Sequence, residues 1–353
     1  MTGAAIIEST ADGGHRNRAI DGFRAVAVSG VVFGHATAYR YADLPLHPIS
    51  RFAGPASETG VQLFFVISGF IITSLLLREQ ARTGTVSIGA FYARRLCRIM
   101  PPLAAYVAAL VALSLAGWIA ATPRDVLPGL TFTCNTGLVH CDWWVAHSWS
   151  LAVEEQYYLG WPLLFVLLPA AWRVRFLLAT LLTLSVLFVV RPPEWHGNPA
   201  SFACIAIGAL YALSPAVRAT VARLTHPAAW LGACAVLMLA PFTPAARLAG
   251  LLAPALTLYV LFAGCAIPWV RVLLESRPLQ VIGLASYSLY LWQQLFLAAP
   301  HLYPAGALPL LALPVAVAGS VLLVERPSIR LGHRLSRMIA NRRRAPVLAE
   351  GRA

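Results

Sequence analysis

Residues 59–77 read TGVQLFFVISGFIITSLLL, a run without a charged side chain. A helix needs about 20 mainly apolar residues to cross the hydrocarbon core of a bilayer, so this run predicts a membrane span. The whole chain agrees with that prediction, because 59% of its 353 residues are hydrophobic and 12% are charged. Soluble domains carry about 25% charged residues, and a soluble fold could not solvate so apolar a surface.

Similar apolar runs, bounded by arginine, proline or polar clusters, recur along the chain and predict about ten transmembrane helices. The expected fold class is therefore an all-α polytopic membrane protein. The ten predicted spans are approximately 20–40, 59–77, 102–121, 152–171, 174–190, 200–213, 227–243, 247–269, 280–299 and 306–324.

The positions of the arginines predict the orientation of these spans, because basic residues concentrate in short cytoplasmic loops. All 27 basic residues are arginines, against 14 acidic residues. With a cytoplasmic N-terminus, most of them lie on the cytoplasmic side, and the outer side receives Arg40, Arg51, Arg124, Arg191 and Arg247. Both termini are therefore predicted to be cytoplasmic. Arginines spread over the span ends indicate charge that flanks a membrane and contacts lipid, and not a nucleic-acid partner. The expected location is a bacterial-type inner membrane.

This orientation divides the chain into three predicted parts: a cytoplasmic segment 1–19, a transmembrane domain 20–325 and a basic cytoplasmic tail 326–353. The first part is polar and lacks the pattern of a secretory signal peptide, so the first span is expected to remain in the mature protein. The tail is interpreted as a basic helix or loop that lies against anionic lipid headgroups.

Two of the six cysteines, Cys134 and Cys141, flank a seven-residue step in the largest predicted outer loop. The outer side is oxidising in this topology, so a disulfide bond between them is plausible. The alternative is a pair of free thiols packed under the loop. His140 and His147 lie nearby, but the spacing matches no structural zinc pattern, and no metal site is predicted.

The first predicted span contains two ionisable residues, Arg24 and His35, which makes it a candidate functional helix. They are eleven positions apart, which is about 16 Å of rise and close to three turns, so both lie on one helix face. An imidazole can accept a proton from an alcohol, whereas a guanidinium can only hold an anion or a dipole. The alternative for His35 is a hydrogen-bonded interior histidine without a catalytic role.

Further polar residues stand near the predicted membrane boundaries. Arg95 and Arg98, one helical turn apart in the loop after the second span, suit a phosphate-bearing ligand, although arginines that only set topology would look similar. Glu154 and Glu155 begin the fourth span, and only one of two adjacent carboxylates is expected to face the interior. Such a carboxylate would orient His35 or bind a sugar hydroxyl, unless it only caps the helix. The polar stretch 286–294 is expected to line a cavity.

These residues together resemble acyltransferase family 3, the membrane O-acyltransferases that include O-antigen acetylases and macrolide acyltransferases. The resemblance covers about residues 18–333 and depends on the order and spacing of several motifs. The motifs are the Arg24 and His35 pair, FVISGF at 65–70, the Arg95 and Arg98 pair, SWSLAVEEQ at 148–156, SYSLYLW at 286–292 and ERP at 325–327.

The resemblance implies that His35 is the essential histidine, that Arg24 belongs to its motif, and that Arg95 and Arg98 hold an acyl-CoA from the cytoplasmic side. It also implies transfer of the acyl group, expected to be acetyl, to a hydroxyl of a glycan or another acceptor. Glu154 is the candidate for orienting His35 or the acceptor. The remaining candidate acceptor-binding residues are Trp149, Glu155, Tyr287 and Tyr290. No bound cofactor is expected, because acyl-CoA is the donor substrate.

Two positions depart from the commoner versions of the family. Gln62 stands where an aspartate is frequent, which leaves open whether the second span contributes a charge. Gln293 stands where many members have histidine, which removes a second histidine base. The alternative functions are a transporter or flippase for a glycan or lipid-linked substrate, and an inactive acceptor-binding or sensor protein. Beyond Glu154 and Glu155 at a helix end, the spans lack the deep carboxylates expected of a coupled transporter.

Overall fold

The computed structural model describes residues 17–42, 48–191, 197–306 and 308–350, and within these ranges it contains helices and no β-strand. The α-helices in chain order are α1 (Arg18–His35), α2 (Ala53–Thr83), α3 (Ile88–Leu115), α4 (Pro123–Leu130), α5 (Trp143–Ala146), α6 (Ser148–Leu167), α7 (Ala170–Val190), α8 (Gly197–Leu213), α9 (Pro215–Leu224), α10 (Pro227–Leu239), α11 (Ala246–Ala266), α12 (Pro268–Leu274), α13 (Arg277–Leu284), α14 (Ser286–Phe296), α15 (Ala312–Gly319) and α16 (Arg326–Glu350).

Five helical segments in the described ranges are long and apolar enough to cross a membrane. They are Ile49–Thr83, Ile88–Leu115, Ala170–Val190, Ala246–Ala266 and Ala312–Asn341. A sixth results if α8 and α9, which meet at a bend of 100°, form one broken span. Large apolar side chains on α7 lie on the protein surface, which is the arrangement expected of a helix in contact with lipid. The chain is therefore a multi-pass membrane protein.

Each of the ten predicted spans overlaps a helix, but the count of ten spans stays a prediction. The first and fourth predicted spans correspond to α1 and α6, whose polar side chains lower their hydropathy. The ninth falls on the short helices α13 and α14. The assignment of Arg95 and Arg98 to a loop was wrong, because α3 already begins at Ile88. Arginine is a good helix former, so the helix extends beyond the apolar stretch that hydropathy detects.

Helix α2 lies at the centre of the bundle, with α1 and α8 as its closest neighbours. Glycines allow these close crossings: a methyl group at Gly60 would overlap the carbonyl oxygen of Ala27, and one at Gly69 would overlap that of Ile205. Small residues at a helix interface permit such a close approach of two main chains. These contacts determine which residues of α1 and α8 face the same space as α2.

Helix α1 places Arg24 and His35 along one element. The side chain of Asn17 caps it by accepting hydrogen bonds from the main-chain N–H groups of Ala19 and Ile20, at 3.1 and 3.3 Å. His35 is its last α-helical residue, and the chain continues as a π-helical turn over Ala36–Arg40. A widened turn of this kind frequently accompanies a functional site.

Helix α16 contains the described part of the predicted tail and packs along α3. A methyl group at Gly332 would lie 2.9 Å from the Cβ of Cys97, so the two helices touch beside Arg98. The tail is therefore a helix packed on protein in this region; its contact with lipid headgroups stays a prediction. Residues 1–16 of the predicted N-terminal segment and 351–353 of the tail lie outside the described residues.

Candidate active site

Two adjoining cavities contain most of the residues that the sequence singled out. The smaller one, here called the arginine cavity, has a volume of about 160 Å³ and is lined by Arg24, Arg95 and Arg98. The larger one, the histidine cavity, has a volume of about 810 Å³ and is lined by His35. Val61, Phe65 and Tyr290 line both cavities and form the partition between them. Arg24 and His35 thus face different cavities, although one helix carries both.

In the histidine cavity, a hydrogen bond from the end of α14 holds the imidazole of His35. Its Nδ1 lies 3.0 Å from Oε1 of Gln293, a side chain that is fully buried. Nε2 of Gln293 donates to Oε1 of Gln294 at 3.2 Å, and Nε2 of Gln294 donates to the main-chain oxygen of Trp143 at 2.6 Å. The ring of Trp143 also packs edge-on against that of His35, with centroids 5.7 Å apart.

This chain of amides determines which nitrogen of His35 carries the proton. The carbonyl oxygen of Trp143 can only accept, so Gln294 directs its N–H group there and its oxygen towards Gln293. Gln293 in turn directs its oxygen at Nδ1 of His35, which must therefore donate. Nε2 is left with the lone pair and is the nitrogen able to accept a proton. Gln293 stands at the position where many family members have a second histidine, and in this structure it orients His35.

The arginine cavity brings three guanidinium groups together from two helices. Arg95 and Arg98 come from successive turns of α3, and Arg24 comes from α1. The guanidinium carbon of Arg95 lies 5.2 Å from the ring centroid of Tyr158, which limits the directions in which the side chain can point. Nη1 of Arg24 is 3.8 Å from a carboxylate oxygen of Asp21. A cluster of arginines in a cavity suits an anion with several phosphate oxygens.

Glu154 lines the arginine cavity, so the prediction that it orients His35 does not match the structure. Its Oε1 accepts a hydrogen bond of 2.5 Å from Oγ of Ser68, which itself accepts one of 3.0 Å from the hydroxyl of Tyr158. Glu154 interacts electrostatically with both Arg95 and Arg24. Glu154 and His35 lie on opposite sides of the partition between the two cavities. The partner that orients the histidine is Gln293.

The four predicted acceptor-binding residues occupy different places. Trp149 lines the histidine cavity, Tyr287 lines the arginine cavity and Tyr290 lines both, whereas Glu155 lines neither. The expectation that only one of the two adjacent carboxylates faces the interior is not confirmed, because Oε1 of Glu155 is also buried and has no hydrogen-bond partner among the described residues. The hydroxyl of Tyr290 pairs with Oγ of Ser150 at 2.6 Å, and that of Tyr287 donates to the main-chain oxygen of Ile99 at 2.8 Å.

The histidine cavity also contains a carboxylate that the sequence analysis missed, that of Glu58. Its Oε1 accepts a hydrogen bond of 3.2 Å from Gln62, whose Oε1 accepts one of 3.1 Å from Thr257. Helix α2 begins at Ala53, so Glu58 is helical although it precedes the apolar run that predicted the span. Gln62 therefore has the carboxylate of Glu58 one turn before it on the same helix. The spacing of four positions between these two residues is the sequence signal from which Glu58 could have been predicted to lie beside Gln62.

Helices α1 and α2 bring Glu58 and His35 to the same cavity by a close contact. A methyl group at Gly34 would lie 2.6 Å from the Cβ of Ser57, so the neighbouring positions 35 and 58 are held at one crossing. A base and a carboxylate in one cavity are suited to binding an acceptor hydroxyl and removing its proton.

A disulfide bond joins Cys134 and Cys141, with their Cα atoms 5.7 Å apart. This is the pairing that the sequence made plausible. Asp142 follows directly and accepts a hydrogen bond of 2.7 Å from the main-chain N–H of Trp143 at the start of α5. The indole N–H of Trp143 donates to the main-chain oxygen of Gln294 at 3.0 Å. The bridged loop thus ends on the residue that packs against His35.

The fold and the two cavities define a helical membrane protein with a histidine in one cavity and a cluster of three arginines in the adjoining one. The acyltransferase-domain model of acyltransferase family 3 matches residues 17–324, and the chain belongs to this family. The resemblance stated from the motifs is thereby confirmed.

Two curated relatives illustrate the similarity. The chain is 28% identical over 317 residues to a Bacillus subtilis protein provisionally named peptidoglycan O-acetyltransferase YrhL, a match that covers 77% of this chain and 47% of YrhL. It is 29% identical over 187 residues to the O-acetyltransferase OatA of Staphylococcus aureus, which covers 48% of this chain and 28% of OatA. The chain thus matches less than half the length of either relative. No solved structure matches it significantly.

Proposed function

We propose that this protein is an O-acyltransferase of the bacterial inner membrane that transfers an acyl group, in the first instance acetyl, from acyl-CoA to a hydroxyl of a cell-envelope carbohydrate or a secondary metabolite. The single observation that carries the proposal is the imidazole of His35, whose tautomer is set by Gln293 so that Nε2 can accept a proton. The similarity to relatives named as O-acetyltransferases supports acetyl as the acyl group.

In the proposed reaction, Nε2 of His35 takes the proton of the acceptor hydroxyl while its oxygen bonds to the acyl carbon. The carbon–sulfur bond then breaks, and the proton passes from His35 to the leaving thiolate, so that the products are an ester and free CoA. In a variant of this scheme His35 itself carries the acyl group for a time. Both schemes need the thioester to reach the histidine cavity.

The arginine cavity is the proposed binding site for the donor phosphates. Arg95, Arg98 and Arg24 supply three guanidinium groups, and each can form a charge-assisted, bidentate bond to a phosphate. Glu154 is proposed to position these arginines, since it interacts electrostatically with Arg95 and Arg24. The partition lined by Tyr290 is where the acyl group would pass between the cavities.

The proposed orientation adds a direction to this reaction. With ten spans and both termini cytoplasmic, the arginine cavity opens towards cytoplasmic acyl-CoA, and the bridged loop of Cys134 and Cys141 lies on the outer side. The histidine cavity would then receive an acceptor from the membrane or the outer side. Trp149 and Tyr39 line this cavity and offer aromatic faces of the kind on which sugar rings stack.

The proposal is tested with purified protein in proteoliposomes, supplied with acetyl-CoA and with soluble muropeptides or methyl glucoside as hydroxyl acceptors. Release of the CoA thiol and mass spectrometry of the acceptor measure transfer. His35→Ala should lower the rate by about 10²–10⁴-fold, the range of general acid–base catalysis. His140→Ala is the matched control, since His140 is exposed and lines neither cavity.

Two outcomes contradict the proposal. Undiminished thiol release by His35→Ala would remove the histidine from the reaction. Movement of a labelled glycan across the vesicle membrane without any consumption of acetyl-CoA would favour the transporter or flippase instead.

A further inference from the structure

A second histidine in the histidine cavity has no hydrogen-bond partner for its ring within the part of the chain that the structure describes. His147 is only 4% exposed, and among the described residues neither Nδ1 nor Nε2 is within hydrogen-bond reach of a partner. The side chain nevertheless lines the cavity that contains His35. Buried polar groups are almost always paired, so two unpaired ring nitrogens beside a cavity indicate a group that enters it.

The ring of His147 is held by packing and main-chain contacts, not by its own nitrogens. Tyr106 lies edge-on to it with centroids 5.6 Å apart, and Tyr290 lies 5.5 Å away on a tilted plane. The main-chain oxygen of His147 accepts hydrogen bonds from the hydroxyl groups of Tyr290 at 2.9 Å and Ser150 at 3.2 Å. The imidazole is therefore fixed in place while its polar atoms stay available.

The position of His147 matters because Tyr290 belongs to the partition between the two cavities. His147 packs directly against Tyr290 on the side of the histidine cavity. In the proposed reaction an acyl group passes from the arginine cavity to an acceptor beside His35 and crosses this partition, against which the ring of His147 packs.

We propose that His147 is a catalytic residue that donates a hydrogen bond to the acyl carbonyl oxygen while negative charge develops on it. This inference rests on the proposed acyl-transfer function and deepens it. The two histidines then have different tasks: Nδ1–H of His35 is used by Gln293, so His35 offers an acceptor nitrogen, whereas a neutral His147 offers an unused N–H group. A neutral imidazole can stabilise an oxyanion in this way.

The step balances without any further reactant. The acceptor oxygen forms a bond to the acyl carbon as its proton moves to Nε2 of His35, and the carbonyl electrons move onto the oxygen that His147 contacts. The carbonyl then re-forms, the carbon–sulfur bond breaks, and the thiolate takes the proton from His35. His147 keeps its own proton throughout.

The test compares two substitutions of similar size, His147→Gln, which retains an N–H donor, and His147→Met, which removes it. With acetyl-CoA as donor and water or muropeptides as acceptor, the methionine variant should have a kcat about 10²–10³-fold below that of the glutamine variant. The KM for acetyl-CoA should stay within about twofold in both, because the arginine cavity is unchanged. A residue with a merely structural role would give no such separation of kcat from KM.

Folding is checked in the same samples by the thermal unfolding temperature in detergent. If the methionine variant does not fold, His147→Asn and His147→Leu provide a second pair matched in size. Equal kcat values within a folded pair would overturn the inference. It would also be overturned if the glutamine variant lost the pH dependence of kcat that the wild type shows, because His147 would then be the proton acceptor. A wild-type protein that consumes no acetyl-CoA would refute the proposed function itself, and the inference would fall with it.

Discussion

Replacing Gln293 by leucine removes the contact that sets the tautomer of His35. Gln293 is fully buried, accepts from Nδ1 of His35 at 3.0 Å and donates to Gln294 at 3.2 Å. Leucine has a similar volume but can form neither bond. Each lost hydrogen bond lowers stability by about 1 kcal/mol, so the free energy of unfolding should fall by about 2 kcal/mol.

The effect on the reaction follows from the bond to His35 alone. Without it the ring is free to carry its proton on Nε2, and in that form it cannot act as a base. The preference lost is that of one buried hydrogen bond, about 1–1.5 kcal/mol, which changes the ratio of the two tautomers about tenfold. Because a free ring still adopts the active tautomer part of the time, kcat should fall several-fold. The leucine does not lock the wrong tautomer in place, so the fall should be far smaller than the roughly 10⁴-fold loss seen when a triad histidine is held in the wrong form.

The assay is thiol release from acetyl-CoA in proteoliposomes, with kcat and KM measured separately. The KM for acetyl-CoA should not change, because Gln293 does not line the arginine cavity. Gln156→Leu is the matched control: Gln156 is an exposed amide that exchanges two hydrogen bonds of 2.9 Å with Asn135 and lines neither cavity. A kcat of Gln293→Leu within twofold of the wild type would refute the reasoning, as would a loss confined to the KM for the donor.

Three other perturbations give distinct results. Arg95→Ala and Arg98→Ala should each raise the KM for acetyl-CoA about 10–100-fold, because each removes a charge-assisted bond of about 1.5–3 kcal/mol. The control is Arg271→Ala, on a helix that lines neither cavity. An unchanged KM for acetyl-CoA in the first two variants would disprove the phosphate-binding role. Glu58→Gln should raise the KM for the acceptor and leave hydrolysis of acetyl-CoA near the wild-type rate. Glu275→Gln is the control. An equal loss of acyl transfer and of acetyl-CoA hydrolysis would contradict a role in acceptor binding. The double substitution of Cys134 and Cys141 by serine should lower the free energy of unfolding by about 2 kcal/mol, the value for a short closed loop. Thermal unfolding with and without reductant measures this loss of stability. An unchanged unfolding temperature would show that the bond does not contribute to stability.

Several parts of the site could be predicted from local sequence. Arg95 and Arg98 are one turn apart, so a helix brings them together whatever the rest of the fold does. The spacing of Cys134 and Cys141 permits a short bridged loop, and the structure contains that bond. Gly69 in the apolar run indicates a close helix crossing, and α8 provides it. Each of these predictions depends on neighbours within about ten positions of the chain.

Other parts were missed or misplaced because they depend on contacts between distant segments. Glu154 was assigned to His35, yet it lies on the opposite side of the partition, with the arginines. Glu58 was overlooked because hydropathy placed the start of the helix after it, and α2 begins earlier. His147 looked like a neighbour of the cysteines, and only its burial beside Tyr290 shows that its ring has no partner in the described structure.

The sequence by itself determined that the chain is a helical membrane protein of acyltransferase family 3, because the length of apolar runs and the spacing of motifs are local properties. Only the tertiary structure decided that the polar residues of the motifs divide into two cavities. His35 and Gln293 are 258 positions apart, and Ser68 and Glu154 are 86 apart, so no helical period relates them. Their meeting depends on where α1, α2 and α8 cross, and those crossings are set by glycine contacts between main chains that only the packed bundle reveals.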